Sequence, residues 1–448
     1  MKKLFTFSAL LLAAVGTSVS AQDIIATRQL YFQPLNYEQL PDMPTPRLGH
    51  VTFPSGNDDI VVVGGHTTGF ELTQTAEILH DGQWTSLSVN YPHDGAAWVE
   101  LSDGRKLITG GFSSGWGVGE SSVAEIYDPA TQSFTVVNDM IQIRAFQNMV
   151  RTGIGDSVMV CGNWYADDYL IELWNGSTFT TIAQKDVTFD SPAMVSNGQG
   201  TVYVFGSFNN YGSYFNPFVY KVDTRTGQVS ELTIPALEGL KIHAQIYGTQ
   251  QADAMTADGK YLFLVQKTDN NEYALMSFDM STETASELIA LPGVTFERNG
   301  VAPDGLTLYW RANVLVNQER QEAYVMGYYI TENGYSVAIM TYNLATGNET
   351  LYLGGTFEGN LASGSWAIQP STGKLIITGG SVSNNFDAVA TSISVQPFAY
   401  DSGLTSTTIG KAVIVERYSL DGRRLSAPQR GINVLRMSDG TTRKVLVR

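Results

Sequence analysis

Arg47, His93 and Arg144 recur at intervals of 46 and 51 residues, and three residues after each stand His50, Ala96 and Gln147. Guanidinium and imidazole groups gathered in one place would bind a carboxylate or a phosphate, because the planar fork of arginine matches two anionic oxygens at once. Asp190, Glu297, Arg298 and Trp366 fall near equivalent points later in the chain. The plainer use of Arg47 and His50 is a repeat-start signature that hydrogen-bonds one repeat to its neighbour, since buried polar groups in repeating folds are mostly structural.

A second set is aromatic. The segments FSSGWGVGE (112–120), NWYADDY (163–169) and FNNYGSYFN (208–216) bring Trp116, Trp164, Tyr165, Tyr211, Tyr214 and Phe215, with Glu120, Asp167 and Asp168 among them. A sugar ring asks for this combination: its C–H face packs flat on an aromatic ring and its hydroxyls need acceptors. Packing of long loops against one another is the competing use.

Other chemistries lack their residues. The five histidines, at 50, 66, 80, 93 and 243, have no close ligand spacing, so neither metal nor cofactor is expected. Asn57-Asp58-Asp59 is too short for a calcium loop. The glycines of 115–119 lack the strand–helix setting of a phosphate loop, and no nucleophile elbow occurs. A net charge of −16 argues against nucleic acid or anionic lipid as partner.

The elements that must position these residues repeat. A short apolar strand ends in a small-residue pair at Gly64-Gly65, Gly110-Gly111, Cys161-Gly162, Phe205-Gly206 and Gly379-Gly380. Turn dipeptides upstream, such as Asp103-Gly104, Asp258-Gly259 and Asp304-Gly305, extend the ruler to weaker marks at 265 and 311. Downstream, TAEILHDGQW, VAEIYDPATQSF and LIELWNGSTF align on Glu77, Glu125 and Glu172, each a strand, a polar turn and a strand. Four strands per repeat make a propeller blade, so the expectation is an all-β, seven-bladed β-propeller followed by a small C-terminal β unit. Six blades result instead if 235–355 is one decorated blade. The repeat at 311 carries an apparent insertion over 312–334. The last repeat is short of a strand, and the segment 25–35 is expected to supply it, closing the ring.

The repeats PRLGH…VVVGG…AEILHDGQW and ITGG…AEIYDPATQSF resemble kelch repeats, over about residues 24–398. The resemblance implies a propeller like the central domain of the galactose oxidase family. The copper enzymes with that fold need a Cys–Tyr cross-link and histidine ligands, whereas Cys161 stands on a strand and reads as core. Kelch propellers also include sialic acid mutarotases. That resemblance implies Arg47, Arg144 and Arg298 as carboxylate holders with Glu297 or Asp190 as base, an alternative in which the protein is an enzyme. No catalytic signature points to it directly. The favoured reading is a binding module for glycan or protein ligands at the loop face around the central channel. A structural or adhesive surface protein is the third.

The termini supply an address. Lys2-Lys3, the apolar run LFTFSALLLAAVG and Val19-Ser20-Ala21 form a secretory signal ending at residue 21, with Gln22 as mature start. No other run approaches the roughly 20 apolar residues of a membrane span. Cys161 is the one cysteine, so no intramolecular disulfide is possible. The propeller is placed at 22–400 and a Ser/Thr/Gly linker at 401–410. Residues 411–448 hold nine Lys/Arg and three Asp/Glu, leaving −24 on residues 22–410. Within them YSLDGRRL and GINVLRMSDGTTRKVLVR resemble the C-terminal sorting domain of the Bacteroidetes type IX secretion system. That resemblance implies export through the periplasm to the cell surface or medium, with the secretion machinery as partner.

Overall fold

In the computed structural model, the described residues are 31–115, 117–163, 170–185, 192–207, 217–242, 254–267, 272–291, 308–331, 334–354, 364–381, 387–396, 414–419, 423–425, 429–437 and 442–447. They form an all-β fold whose small antiparallel sheets make a seven-bladed propeller. The chain divides into two compact units, Met1–Pro397 and Phe398–Arg448. In the second, Ile414–Ser419, Gly431–Met437 and Thr442–Val447 make an antiparallel three-stranded sheet.

Blade one shows the pattern: Val51–Pro54, Ile60–Val63, Thr75–His80 and Gln83–Ser88, each pairing with the next. Strand two is buried along its whole length, as a run of Ile and Val covered on both faces must be, whereas strand four is largely exposed. Blades two to five follow at 97–136, 148–184, 193–231 and 241–291. Most of the core lies between blades. Val51, Phe53 and Val63 pack with Trp98 and Ile108, and Phe205 packs with Tyr261, Phe263 and Phe278.

Three expectations are corrected. The stretch 235–355 is two blades, and within blade six the sequence mark at 311 lies in strand one, Leu308–Asn317. The apparent insertion is strand two, Glu322–Thr331, which pairs with Gly334–Asn343. Blade three is displaced by one residue. Cys161 ends strand two where Val63, Thr109 and Thr378 end theirs, so Gly162 and Asn163 take the glycine-pair places.

Ring closure also differs. Tyr31–Pro34 adds to blade six as a fifth, parallel strand beside Glu349–Leu353. The chain then crosses over, and Tyr37–Gln39 becomes the outer strand of blade seven, antiparallel to Ser392–Val395. One short segment therefore staples two blades, with Leu35 N–H donating to Leu353 O (2.7 Å) and Leu40 N–H to Ser392 O (3.0 Å). Residues 25–30 lie outside the described residues.

One apolar cluster described at the closing junction is small: Ile60, Leu79, Ala367 and Ile376, with Leu40 and Trp84 packed against it. The three-residue strand beside it therefore matters more than its length suggests. Glu38 stands opposite Ser394, and proline there removes a ladder donor. Glu38→Pro is expected to lower unfolding stability by about 2–3 kcal/mol and to speed limited proteolysis. Unchanged urea midpoint and cleavage rate would show that blade seven does not depend on this strand.

Candidate functional site

Around blades one and two, the loops that lead into strand one and those that follow strand two meet at the glycine pairs. Arg47 precedes strand one of blade one and folds back over its own blade. Its guanidinium donates to Gly64 O (2.9 Å), Thr75 O (3.0 Å), Thr75 Oγ1 (2.9 Å) and Glu77 Oε1 (2.5 Å). Arg144 repeats the arrangement in blade three, reaching Gly162 O (3.0 Å), Leu170 O (2.9 Å) and Glu172 Oε1 (2.8 Å). Both ion pairs are fully buried.

In blade two the same place is held by His93. Nδ1 lies 3.0 Å from Gly110 O and Nε2 2.9 Å from Glu125 Oε1. Both ring nitrogens face acceptors. Burial opposes ionisation of Glu125, but hydrogen bonds from His93 and Asn90 outweigh it and hold the carboxyl below its usual range. The three basic residues and three glutamates were each aligned in sequence. Their pairing was missed, because nothing in the chain says that the leading loop lies across strand three.

His50 and Gln147 do the complementary job between blades. His50 Nε2 meets Thr378 Oγ1 of blade seven (3.0 Å), and Gln147 Nε2 donates to Thr109 O of blade two (2.6 Å). Burial, with Arg47 nearby, pushes His50 down to about 3, so it is neutral. Trp366 is buried in the innermost strand of blade seven. Thus the six described candidates, Arg47, His50, His93, Arg144, Gln147 and Trp366, are all buried, and the first five are tied into the blades. Trp116, Trp164, Tyr165, Tyr211 and Arg298 lie outside the described residues, as do Asp190 and Glu297.

The backbone of the leading loops completes the ring contact. Gly380 N–H donates to Arg47 O (2.9 Å), Gly65 N–H to Pro92 O (3.1 Å) and Gly111 N–H to Arg144 O (2.9 Å), each from one blade to the next. A further buried pair, His66 Nδ1 and Asp94 Oδ1 at 2.9 Å, joins blade one to blade two. Burial raises the Asp94 carboxyl, with His66 opposing. Among the described residues, no three His, Cys, Asp or Glu side chains gather as metal ligands, and no helix is long and apolar enough to cross a membrane.

Fold and geometry together define the class, a seven-bladed β-propeller whose loop face is braced by buried cation–glutamate clasps. No family model matches the chain, and no curated protein matches it.

Removing one partner of a buried pair leaves a charge without compensation. Arg144→Met is expected to cost about 3–5 kcal/mol in urea unfolding, and Arg144→Met/Glu172→Leu to recover much of it. A guanidinium that serves only a ligand would leave the midpoint unmoved.

His50 supplies a pH test. Its folded pKa lies below the unfolded value near 6.5, so over that gap only the unfolded chain binds the proton. This contribution to stability is full above about pH 6.5 and is lost as pH falls toward 3. His50→Gln copies Gln147 of blade three and is expected to flatten this limb by up to a few kcal/mol. An unchanged pH profile of the urea midpoint counts against a neutral, buried imidazole.

Proposed function

We propose that this chain is an exported kelch-type propeller that binds glycans on its loop face. The observation that carries this reading is the state of the loop-face basic residues. Arg47, His93 and Arg144 direct their polar atoms to carbonyls and glutamates of their own blades. That arrangement favours a face that binds through its outer loops over one that reacts through these groups. The connections from strand two to strand three are where the aromatic residues Trp116, Trp164, Tyr165 and Tyr211 occur in sequence, and they are our candidates for ligand contact.

The same observation weakens the acidic-sugar enzyme. Two of its three carboxylate-holding arginines, Arg47 and Arg144, are fully buried in ion pairs. A protein partner at the same loops, with a structural or adhesive role, is the remaining reading. Delivery rests on the chain's ends. A signal removed after Ala21, a propeller over 22–400, a linker at 401–410 and a type IX sorting domain at 411–448 account for the basic tail on an acidic body.

Glycan-array binding of the secreted chain tests ligand class, and cell fractionation tests address. The intact chain is expected to bind sugars and to lose most of that binding as Trp116→Ala/Trp164→Ala. Deleting 411–448 is expected to trap the protein in the periplasm of a host with type IX secretion. Silence on every sugar, beside capture of a protein ligand, favours the adhesive reading; surface delivery without the tail removes the sorting assignment.

A further inference from the structure

Repetition gives this fold an internal control: a side chain carried by only one of several equivalent loops is not demanded by the fold. The leading loops of blades two and three match residue for residue through their contacts. Asn90 and Tyr91 N–H donate to Glu125 Oε1 (3.1 Å each), and Ile141 and Gln142 N–H donate to Glu172 (2.7 and 3.1 Å). The next two places are Pro92 and His93 in blade two, and Ile143 and Arg144 in blade three. Counting back from Arg47 puts Pro44 and Pro46 at the places of Ile141 and Ile143. Just ahead of them each loop sets a buried apolar anchor: Met43, Val89 or Met140.

Of these three loops, blade three's alone fills the two outward places with isoleucine. Ile141 is 56% exposed and Ile143 53%. Asn90 also donates from its side chain to Glu125 Oε2 (2.5 Å), a bond that the hydrocarbon side chain of Ile141 cannot make to Glu172. The loop thus gives up a contact to a buried carboxylate and leaves two branched apolar side chains in water, where each gains by being covered. Val118, 60% exposed, adds a third. Its strand, Val118–Glu120, runs into Ser121, whose carbonyl accepts from Arg144 N–H (2.9 Å). The surrounding charge has one sign. No Lys, Arg or His stands between Lys106 and Arg144 or between Arg151 and Lys185, and Arg144 is buried in its ion pair. Asp139 is exposed in the same loop, and Glu120 is half-buried two residues after Val118.

We propose that Val118, Ile141 and Ile143 form a docking surface for an extended protein segment that alternates apolar and basic side chains. Ile141 and Ile143 lie two residues apart, between buried Met140 and buried Arg144, so the apolar contacts recur at the spacing of an extended chain. The N–H groups of Met140, Ile141, Gln142 and Arg144 are committed to Ser122 O, Glu172 and Ser121 O, so the partner is held by side chains. Lysines or arginines between its apolar residues meet Asp139 and Glu120, which selects a basic segment over an acidic one. This surface goes beyond the glycan reading and stands without it.

The test titrates the intact chain with a short peptide alternating lysine and valine, at about 0.15 M salt to screen long-range attraction to the acidic body. A lysine–serine peptide of equal charge is the control, and thermal unfolding monitors the fold. Ile141→Asn/Ile143→Pro copies the blade-two loop and is expected to keep the melting temperature. It is expected to weaken lysine–valine binding about tenfold or more, and Val118→Ser to weaken it severalfold. The lysine–serine peptide is expected to bind weakly and equally to all three proteins. Equal affinity of wild type and double variant for the lysine–valine peptide overturns the surface, and so does wild-type binding no tighter than that of the lysine–serine peptide. If the double variant loses many degrees of melting temperature, Val118→Ser carries the comparison, and unchanged affinity there overturns the surface. Self-association of the wild type that the double variant abolishes, without peptide binding, makes the patch a contact between copies and overturns the partner's chemistry. Sugar binding is expected to be the same in wild type and double variant, so the glycan reading fails or survives separately.

Discussion

The constraint on which the propeller depends, at the three junctions around blades one and two, is the closeness of the leading loop to the glycine pair of the blade before it. A Cβ on Gly64 would stand 1.9 Å from Pro92 O, and one on Gly379 would stand 2.4 Å from Arg47 O. Both residues also have positive φ, +67° and +59°. Glycine therefore serves two needs at once: a left-handed exit from strand two, and room for a neighbouring backbone to pass. Hydrogen bonds from the second glycine to the next loop follow from that approach. Blade three shows how much latitude exists. Asn163 takes the second place, and its Oδ1 accepts from Ala145 N–H at 3.1 Å, a side-chain bond to the leading loop of its own blade.

Bringing a loop so close leaves its polar groups out of water, and the clasps answer that. The arginine reaches the glycine carbonyl and a strand-three glutamate from one side chain, so one residue satisfies several buried acceptors. Histidine spans the same two acceptors in blade two, with the glutamate further engaged by Asn90 and Tyr91 N–H groups. The charges that look available for chemistry in the sequence are those the fold needs for fixing each of these leading loops to its own blade.

Much of the architecture was legible because its causes are local. Strand two is buried on both faces, so it reads as an unbroken apolar run, and the glycine after it is forced by sterics. The frame slipped where a residue imitated the signal. Cys161, small and buried against Met194, stood in for a glycine although it ends the strand. The mark at 311 slipped because turn-then-strand describes the start of a blade as well as its second strand. The closing strand was displaced from 25–35 to Tyr37–Gln39 because a three-residue, exposed strand has no hydrophobic period to read. The Arg47–Glu77 pairing was invisible for a different reason: it joins residues thirty apart through a fold-over that only the tertiary structure defines.

The closing junction shows how the ring accommodates being made from both ends of one unit. Blade seven carries Ser365, Thr378 and Ser392 in one cross-strand row, where blade one has Val51, Val63 and Ala76. Facing this row from blade one are His50 and Thr52, both bonded to Thr378 Oγ1 at 3.0 Å. A hydrogen-bonded seam is less tolerant of misregister than an apolar one, because a slip of one residue leaves each donor facing the wrong partner. The seam that joins residues more than three hundred apart thus gains directional bonds in addition to that small apolar cluster. Burial also keeps His50 uncharged there, so the bonds at the seam are made between neutral groups. His50 and Thr52 thus fix blade one to blade seven through Thr378, and the short outer strand Tyr37–Gln39 adds ladder bonds on the far side of blade seven.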